Sequence, residues 1–461
     1  MQEREERREA YRRIWRHSPQ MAPILENYPV PEDTVGLVSS YVLAPALGSF
    51  VQWLLHEAAG SGKKRLYFLA RDGYFPYRAA QVFCETHHLP IECRYLYCSR
   101  YSLRLPLFHL DREAVLTYVC RGGIDVTMER ILRRGGLTEE ERQAVLQQLS
   151  LPFAPGKVLP HAKLPYIRRC LGKCTLFLTY MDRHSRAALP GLIGYLTGEG
   201  LLEDIPYALV DSGWVGSMQK TIGDVLAFLG QPRRLEGYYW GLYDLPADVF
   251  QGDYHTYYFS PEKQLAEKIY FNNCLFEAIY TAPHGMTLSY RQKGGQYVPC
   301  CGQIREAGRA FVSRMEACLL PYIRCLAKTG VAVLDAGTLQ RDRGVVYRLL
   351  RQFMSRPSRE EAEAFGSLPF SDDVLEGDEQ QLAAPLTQRE LQAYHLLPRL
   401  GSIMGLWNHP VRESAWYEGS AVRGGKRVGH HLRQYRLYQA IRQIRKMIQF
   451  RKERGWRDAG L

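Results

Sequence analysis

Three short apolar runs, Arg65-Leu66-Tyr67-Phe68-Leu69-Ala70, Cys93-Arg94-Tyr95-Leu96-Tyr97-Cys98 and Tyr207-Ala208-Leu209-Val210, each stop at a polar cluster. The first and third lead into helical patterns, Phe75 to Thr86 and Met218 to Leu229, and a fourth run, Leu235 to Tyr243, comes after the third unit. Apolar runs of this length, rich in aromatic and branched residues, read as strands. Strands alternating with helices specify an α/β fold with a mostly parallel, Rossmann-like sheet covered on both faces. Ligands of such sheets sit beyond the carboxyl ends of the strands. The clusters Arg71-Asp72-Gly73, Ser99-Arg100-Tyr101-Ser102 and Asp211 to Ser217 are therefore expected around one crevice.

The rest of the chain divides by composition into a charged N-terminal helix (1–34), the α/β domain (35–300, with a helical insertion at about 111–189), a helical region (301–420) and a basic tail (421–461). The helical region contains an acidic, Pro-punctuated stretch, Ser355 to Glu390, expected as a solvated connection. The hydrophobic share of 46% excludes a disordered chain. Met1–Arg16 mixes Glu and Arg without an apolar core, so no signal peptide is expected. Thr34 to His56 has the length of a membrane span, but Ser39, Ser40, Pro45, Gly48 and Gln52 favour a helix packed inside a globular domain and broken near Ala44-Pro45. Eleven cysteines without a CxxC pair write neither a disulfide framework nor a zinc knuckle, and reduced cytosol is the natural compartment.

The polar clusters each carry two readings. At Asp72 and Gly73 a turn accounts for both residues, with Gly allowing unusual φ and Asp capping the next helix. Arg71 adds a permanent cation at a helix entry, where free N–H groups already favour an anion such as phosphate. Ser99 and Arg100 read either as ligand-binding residues or as ordinary loop polarity. In the third cluster Gly213 and Gly216 flank Trp214-Val215, with hydroxyls at Ser212 and Ser217. Such a loop can form an anion nest, with Asp211 at the strand end, and Asp72 beside it, as ligands for Mg²⁺. The plainer alternative is a tight turn in which Gly packs and Ser caps. Glu277, inside Phe276-Glu277-Ala278-Ile279-Tyr280, is either a buried acid with a raised pKa or an exposed helix residue.

Four blocks of the sequence carry a resemblance: GSFVQWLLHEAAGSGKKRLYFLARDGYFPYRAAQVF, YLYCSRYSLRLP, YALVDSGWVGSMQKTI and FEAIYTAPHGMTLSY. In this order, over about residues 40–290, they resemble the C-terminal region of large predicted hydrolases of the HAD superfamily, found among bacterial surface-polysaccharide genes. The resemblance implies a cytoplasmic protein that binds a sugar phosphate or nucleotide sugar and catalyses phosphoryl or glycosyl transfer or hydrolysis. It also selects Glu277 and His284 as site candidates beside Asp72 and Asp211. HAD phosphatases need a strand-ending Asp-x-Asp, whose first carboxylate attacks phosphorus. Here Ala70 stands where that nucleophile would be, so phosphatase activity is not expected. The order of elements is also similar to phosphoribosyltransferases, although Asp211 is followed by Ser212 where those enzymes pair two acids. A non-catalytic module that binds such a ligand and recruits assembly enzymes is the competing class.

Twelve of the 60 Lys and Arg, but only two of the 48 Asp and Glu, fall in 421–461. Leu432, Tyr435, Tyr438, Ile441, Ile444 and Ile448 recur there at three- and four-residue spacing. A basic amphipathic helix of this kind fits an anionic membrane surface at the inner leaflet, or an acidic face of its own protein. Nucleic acid ranks third, since no nucleic-acid-binding motif accompanies the charge.

Overall fold

All five residues of Arg65–Leu69 (β1) are buried, and alternate side chains enter two different cores, Leu66 and Phe68 one and Tyr67 and Leu69 the other. A strand buried on both faces needs helices on both sides. The computed structural model, which describes residues 2–123, 126–329, 335–370, 380–403 and 413–458, supplies them. Glu92–Leu96 (β2), Tyr207–Trp214 (β3), Glu236–Leu242 (β4) and Tyr254–Phe259 (β5) complete a five-stranded sheet in the order β2-β1-β3-β4-β5, with every pair parallel. The α/β class and the parallel sheet are as expected. Chain order reverses direction between β1 and β3, which makes their carboxyl ends the switch point where ligands of open parallel sheets bind.

On one face Gln2–Trp15 (α1), Ala44–Gly60 (α2), Tyr74–His87 (α3), Glu306–Thr329 and Ala336–Ser355 share a single core, with α2 and α3 against the strands and the other three packed behind them; on the other face lie Thr175–Gly198 (α4) and Ser217–Phe228 (α5). The break near Ala44-Pro45 takes the form of a π-helical turn over Ser39–Leu43, which leaves Pro45 in the first turn of α2, where its missing N–H costs nothing. The stretch Thr34–Gly60 is long and apolar enough to cross a membrane, and 89% of its most apolar window is buried inside the protein. Between β2 and β3 the chain is largely helical and builds a core of its own around Phe108, Leu132, Ile167 and Phe177.

Two expectations from the sequence change. The alternating Glu and Arg of the first twenty residues lead one to expect a solvated helix, but Tyr11 and Trp15 of α1 are fully buried, and Arg7 is held by Glu361. The beginning of the acidic stretch is not a solvated connection either, because Glu361 is 1% exposed and Glu360 accepts from Arg4 and Thr34. Asp372, Asp373, Glu376, Asp378 and Glu379 lie outside the described residues.

An antiparallel hairpin, Thr287–Lys293 (β6) and Gln296–Cys301 (β7), turns on Gly294 and Gly295, both with left-handed φ, +59° and +82°. It packs on α4, where the Tyr290 ring stacks on Tyr195 with centroids 4.4 Å apart. From there it reaches the loop after β2: Ser99 Oγ donates to the Thr287 carbonyl (2.7 Å), and Tyr290 Oη donates to the Tyr97 carbonyl (2.9 Å).

Candidate functional site

The carboxyl ends of β2, β1 and β3 are level, since Leu69 pairs with Leu96 and Phe68 with Val210. Beyond these pairs each strand runs into polar residues, and the three ends open on one cavity of about 730 Å³. Arg71 and Asp72 come to it from β1, Arg100 from the loop after β2, and Asp211, Ser212 and Ser217 from β3 and its exit. The fourth contribution is Glu277, from the helix Asn273–Ile279 (α6). The opposite wall comes from the C-terminal half of the chain: Ala307, Gly308 and Phe311 at the start of Glu306–Thr329 (α7), and Ser367 to Phe370. The expected convergence of Arg71, Asp72, Arg100, Asp211 and Ser217 is thus what the structure shows.

The local chemistry of the third cluster differs from the expected loop. β3 continues through Asp211 to Trp214, and only Val215 and Gly216 separate it from α5. Gly213 has φ +110°, and a Cβ there would lie 2.5 Å from the Gly241 carbonyl oxygen on β4. Its small size lets β3 stay paired while the chain twists. Replacing Gly213 by alanine is expected to cost about 2–4 kcal/mol, from the forbidden φ and the backbone overlap together, read as a lowered urea midpoint. Gly216, with φ +66°, faces the Tyr254 ring, and Gly73 abuts the Leu69 backbone, where a Cβ would meet the carbonyl at 2.5 Å. These two glycines serve packing at the edge of the site and do not line it. Neither Ser212 nor Ser217 caps α5.

The twist at Gly213 aims the Trp214 indole at α6, where it packs against Phe271 and Phe276 and its Nε1 donates to Glu277 Oε1. Ser212 Oγ donates to Asp72 Oδ2. Ser99 is occupied differently. Its hydroxyl accepts from the Ser102 amide (3.0 Å) in a capping box and so fixes the short helix that begins at Arg100. His284 Nδ1 donates to the Gly285 carbonyl (2.8 Å), which leaves Nε2 to accept from Tyr95 Oη (2.8 Å). Burial lowers its pKa and keeps it neutral, and it stands behind the site rather than among its lining residues.

Three buried carboxyls line the cavity, and Asp72 acts electrostatically on each of the other two, so their joint ionisation is disfavoured at neutral pH. Burial pushes Glu277 up to about 8, and the nearby charge of Asp72 adds to it. Burial, again reinforced by Asp72, pushes Asp211 up to about 7. Asp72 itself is raised by burial, against the opposing pull of Ser212, Arg71 and Arg100. The cavity lining therefore holds more protons than ordinary carboxylates would, facing three guanidiniums: Arg71, Arg100 and Arg305. Arg305, exposed at the mouth, is a lining residue that sequence reading misses, because it follows no strand and belongs to no cluster.

Asp72 and Asp211 are the expected Mg²⁺ ligands. Among the described residues no three His, Cys, Asp or Glu side chains converge as a metal-holding group. Asp72 is engaged by Ser212 and Glu277 by Trp214, and the positive charge around them is supplied by arginines. The donor set does not by itself fit a resident metal. No protein-family model matches the chain, and no curated protein matches it significantly.

Proposed function

We propose that the cavity binds a phosphorylated sugar or nucleotide sugar, and that the chain is a HAD-like protein of bacterial surface-polysaccharide biosynthesis, acting in the cytoplasm. One observation carries the reading. Each of the four sequence blocks that resemble that family delivers a charged side chain to the same cavity: Arg71 and Asp72, Arg100, Asp211, and Glu277. The same proposal takes the parallel sheet as Rossmann-like and the helices between β2 and β3 as an insertion into it.

The chemistry rests on charge and protonation. Arg71 and Arg100 neutralise the phosphate oxygens, and guanidinium is the side chain best shaped for that task. Glu277 keeps its proton at neutral pH and gives it to the departing oxygen. Asp211, near half-ionised at pH 7, takes one from an attacking hydroxyl or water. Ala70 leaves no phosphoaspartate nucleophile, so transfer or hydrolysis proceeds by acid–base assistance rather than through a covalent phosphoenzyme.

Calorimetry with UDP-glucose tests the binding half. Arg71→Ala and Arg100→Ala are each expected to weaken binding by about 10- to 150-fold, the worth of a hydrogen bond to a charged group. Binding that ignores both substitutions overturns the proposal. Binding without turnover of any nucleotide sugar assigns the protein to the non-catalytic class.

A further inference from the structure

The basic tail forms the longest helix among the described residues, Val428–Asp458, which packs on the short helices Leu265–Tyr270, Leu396–Ile403 and Tyr417–Gly424. Its first half reaches the end of Ala336–Ser355 (α8), where Arg436 donates to the Ser355 carbonyl. The tail helix (α9) buries Leu432, Gln443 and Phe450, and near its far end Arg454 donates to the carbonyls of Val249 (2.8 Å) and Pro246 (3.1 Å). The apolar pattern of the tail is thus divided between two faces. Leu432 and Phe450 point inward, while Leu437, Ile444 and Ile448 are 49%, 42% and 48% exposed.

With Ile441, those three exposed residues are spaced by four, three and four, which places them in one stripe along the outer face of a helix with 3.6 residues per turn. On the same count, Arg433 and Arg451 border the stripe on one side and Arg445 and Lys452 on the other, and all four are exposed. Arg451 also donates to the Glu262 carbonyl (3.1 Å). Two other strongly exposed apolar residues sit on segments that touch the ends of this helix. Phe250 (64%) is next to Val249, and Leu397 (70%) lies two residues from His395, which bonds His431 at 2.8 Å.

We infer that the outer face of α9 is a docking surface for an anionic lipid bilayer. A helix that lies flat on its own protein, with an apolar stripe outward and cations on both flanks, has the form of an interfacial helix. Isoleucine side chains enter the acyl boundary while arginine and lysine heads remain among lipid phosphates. The two alternative occupants fit less of the surface. A second copy paired through the same face would set arginines against arginines. A nucleic acid would take the cations and leave the isoleucine stripe in water. Docking through this face does not depend on what the cavity binds.

Co-sedimentation of the full chain with phosphatidylcholine vesicles, with and without phosphatidylglycerol, is the test. The protein is expected to pellet with the anionic vesicles at low salt, and to be released in molar salt as the cations are screened. Arg445→Gln with Lys452→Gln should weaken vesicle affinity by about 25-fold, at about fivefold for each cation. Ile444→Ser with Ile448→Ser should weaken it by about tenfold or more, with an unchanged melting curve because both side chains are exposed. Failure of the intact chain to pellet overturns the inference. Full vesicle affinity in the isoleucine variant also overturns it, since the stripe would then do nothing. A dimer in light scattering that the isoleucine variant dissociates assigns the face to a second copy, and a DNA shift that depends only on the cations assigns it to nucleic acid.

Discussion

Replacing Glu361 by alanine is expected to destabilise the protein by about 3–5 kcal/mol, the usual loss when one partner of a buried ion pair is removed. Glu361 lies in the short helix Arg359–Gly366 and is 1% exposed. Its carboxylate accepts from Arg7 Nε (2.8 Å) and Nη2 (2.6 Å), from the Tyr11 hydroxyl, and from the Ser358 amide (2.9 Å) that closes the cap of its own helix. Alanine would leave the Arg7 guanidinium, 11% exposed, with the carbonyls of Gln352 and Arg356 and the face of the Tyr11 ring but no counter-charge among these contacts, and would orphan a fully buried phenol. Helix α1 should then loosen from the body, so that proteolysis within the first twenty residues accelerates along with the fall in urea midpoint. Adding Arg7→Ala to Glu361→Ala should cost less than the two separate losses together, because the second change removes the uncompensated charge. A single-substitution loss below about 1 kcal/mol, the range of an exposed pair, would show that this contact does not anchor α1.

That ion pair joins residues 354 positions apart, and nothing local in the sequence announces it. The alternation of Glu and Arg in α1 reads as a solvated face, and only Tyr11 and Trp15, four apart on one side, mark the face that packs. Strands with apolar residues on both faces are legible because burial on two sides leaves a continuous apolar run: β1 and β4 fall within the expected segments, while the edge strand β2 begins one residue before its own and ends two residues short of it. β3 extends past its expected end. Asp211 and Ser212 look like a loop because they are polar, yet a strand at the switch point carries polar residues where it meets the cavity. Strand β5, Tyr254–Phe259, escapes the pattern because it begins with Tyr254-His255-Thr256 and lacks a clean apolar run. The hairpin of β6 and β7 does have a local signal, the Gly294-Gly295 pair, which suits a two-residue turn with φ positive at both positions. Site residues next to strand ends are found by position. Arg305 and the wall from Ser367 to Phe370 come from the C-terminal half and depend on tertiary closure, which no local pattern encodes.

At Glu277 the hydrogen bonding is compatible with the proposed role of proton donor, which substitution can test. Trp214 Nε1 can only donate, so Oε1 of Glu277 is held as an acceptor, and the proton of the acid form sits on the other oxygen. With its pKa raised to about 8 by burial and by Asp72, Glu277 is protonated at neutral pH, as a general acid must be. Glu277→Gln keeps the shape and the acceptor for Trp214 but has no proton to give. Turnover of the nucleotide sugar that calorimetry identifies is expected to fall by about 10²–10⁴-fold, the usual share of a general acid, with KM little changed. In the native protein kcat should decline as pH rises through about 8, and in the variant that decline should disappear. The same shift fixes a sign for stability. A carboxyl whose pKa is raised on folding contributes stability that is complete below its unfolded value, about 4, and is lost as pH rises through its folded value. Glu277 and Asp211 therefore favour the folded state more at pH 6 than at pH 8.5, and Glu277→Gln should flatten that part of the melting temperature profile. A variant with undiminished kcat and an unaltered basic limb would remove Glu277 from the chemistry and leave it as the partner that positions Trp214.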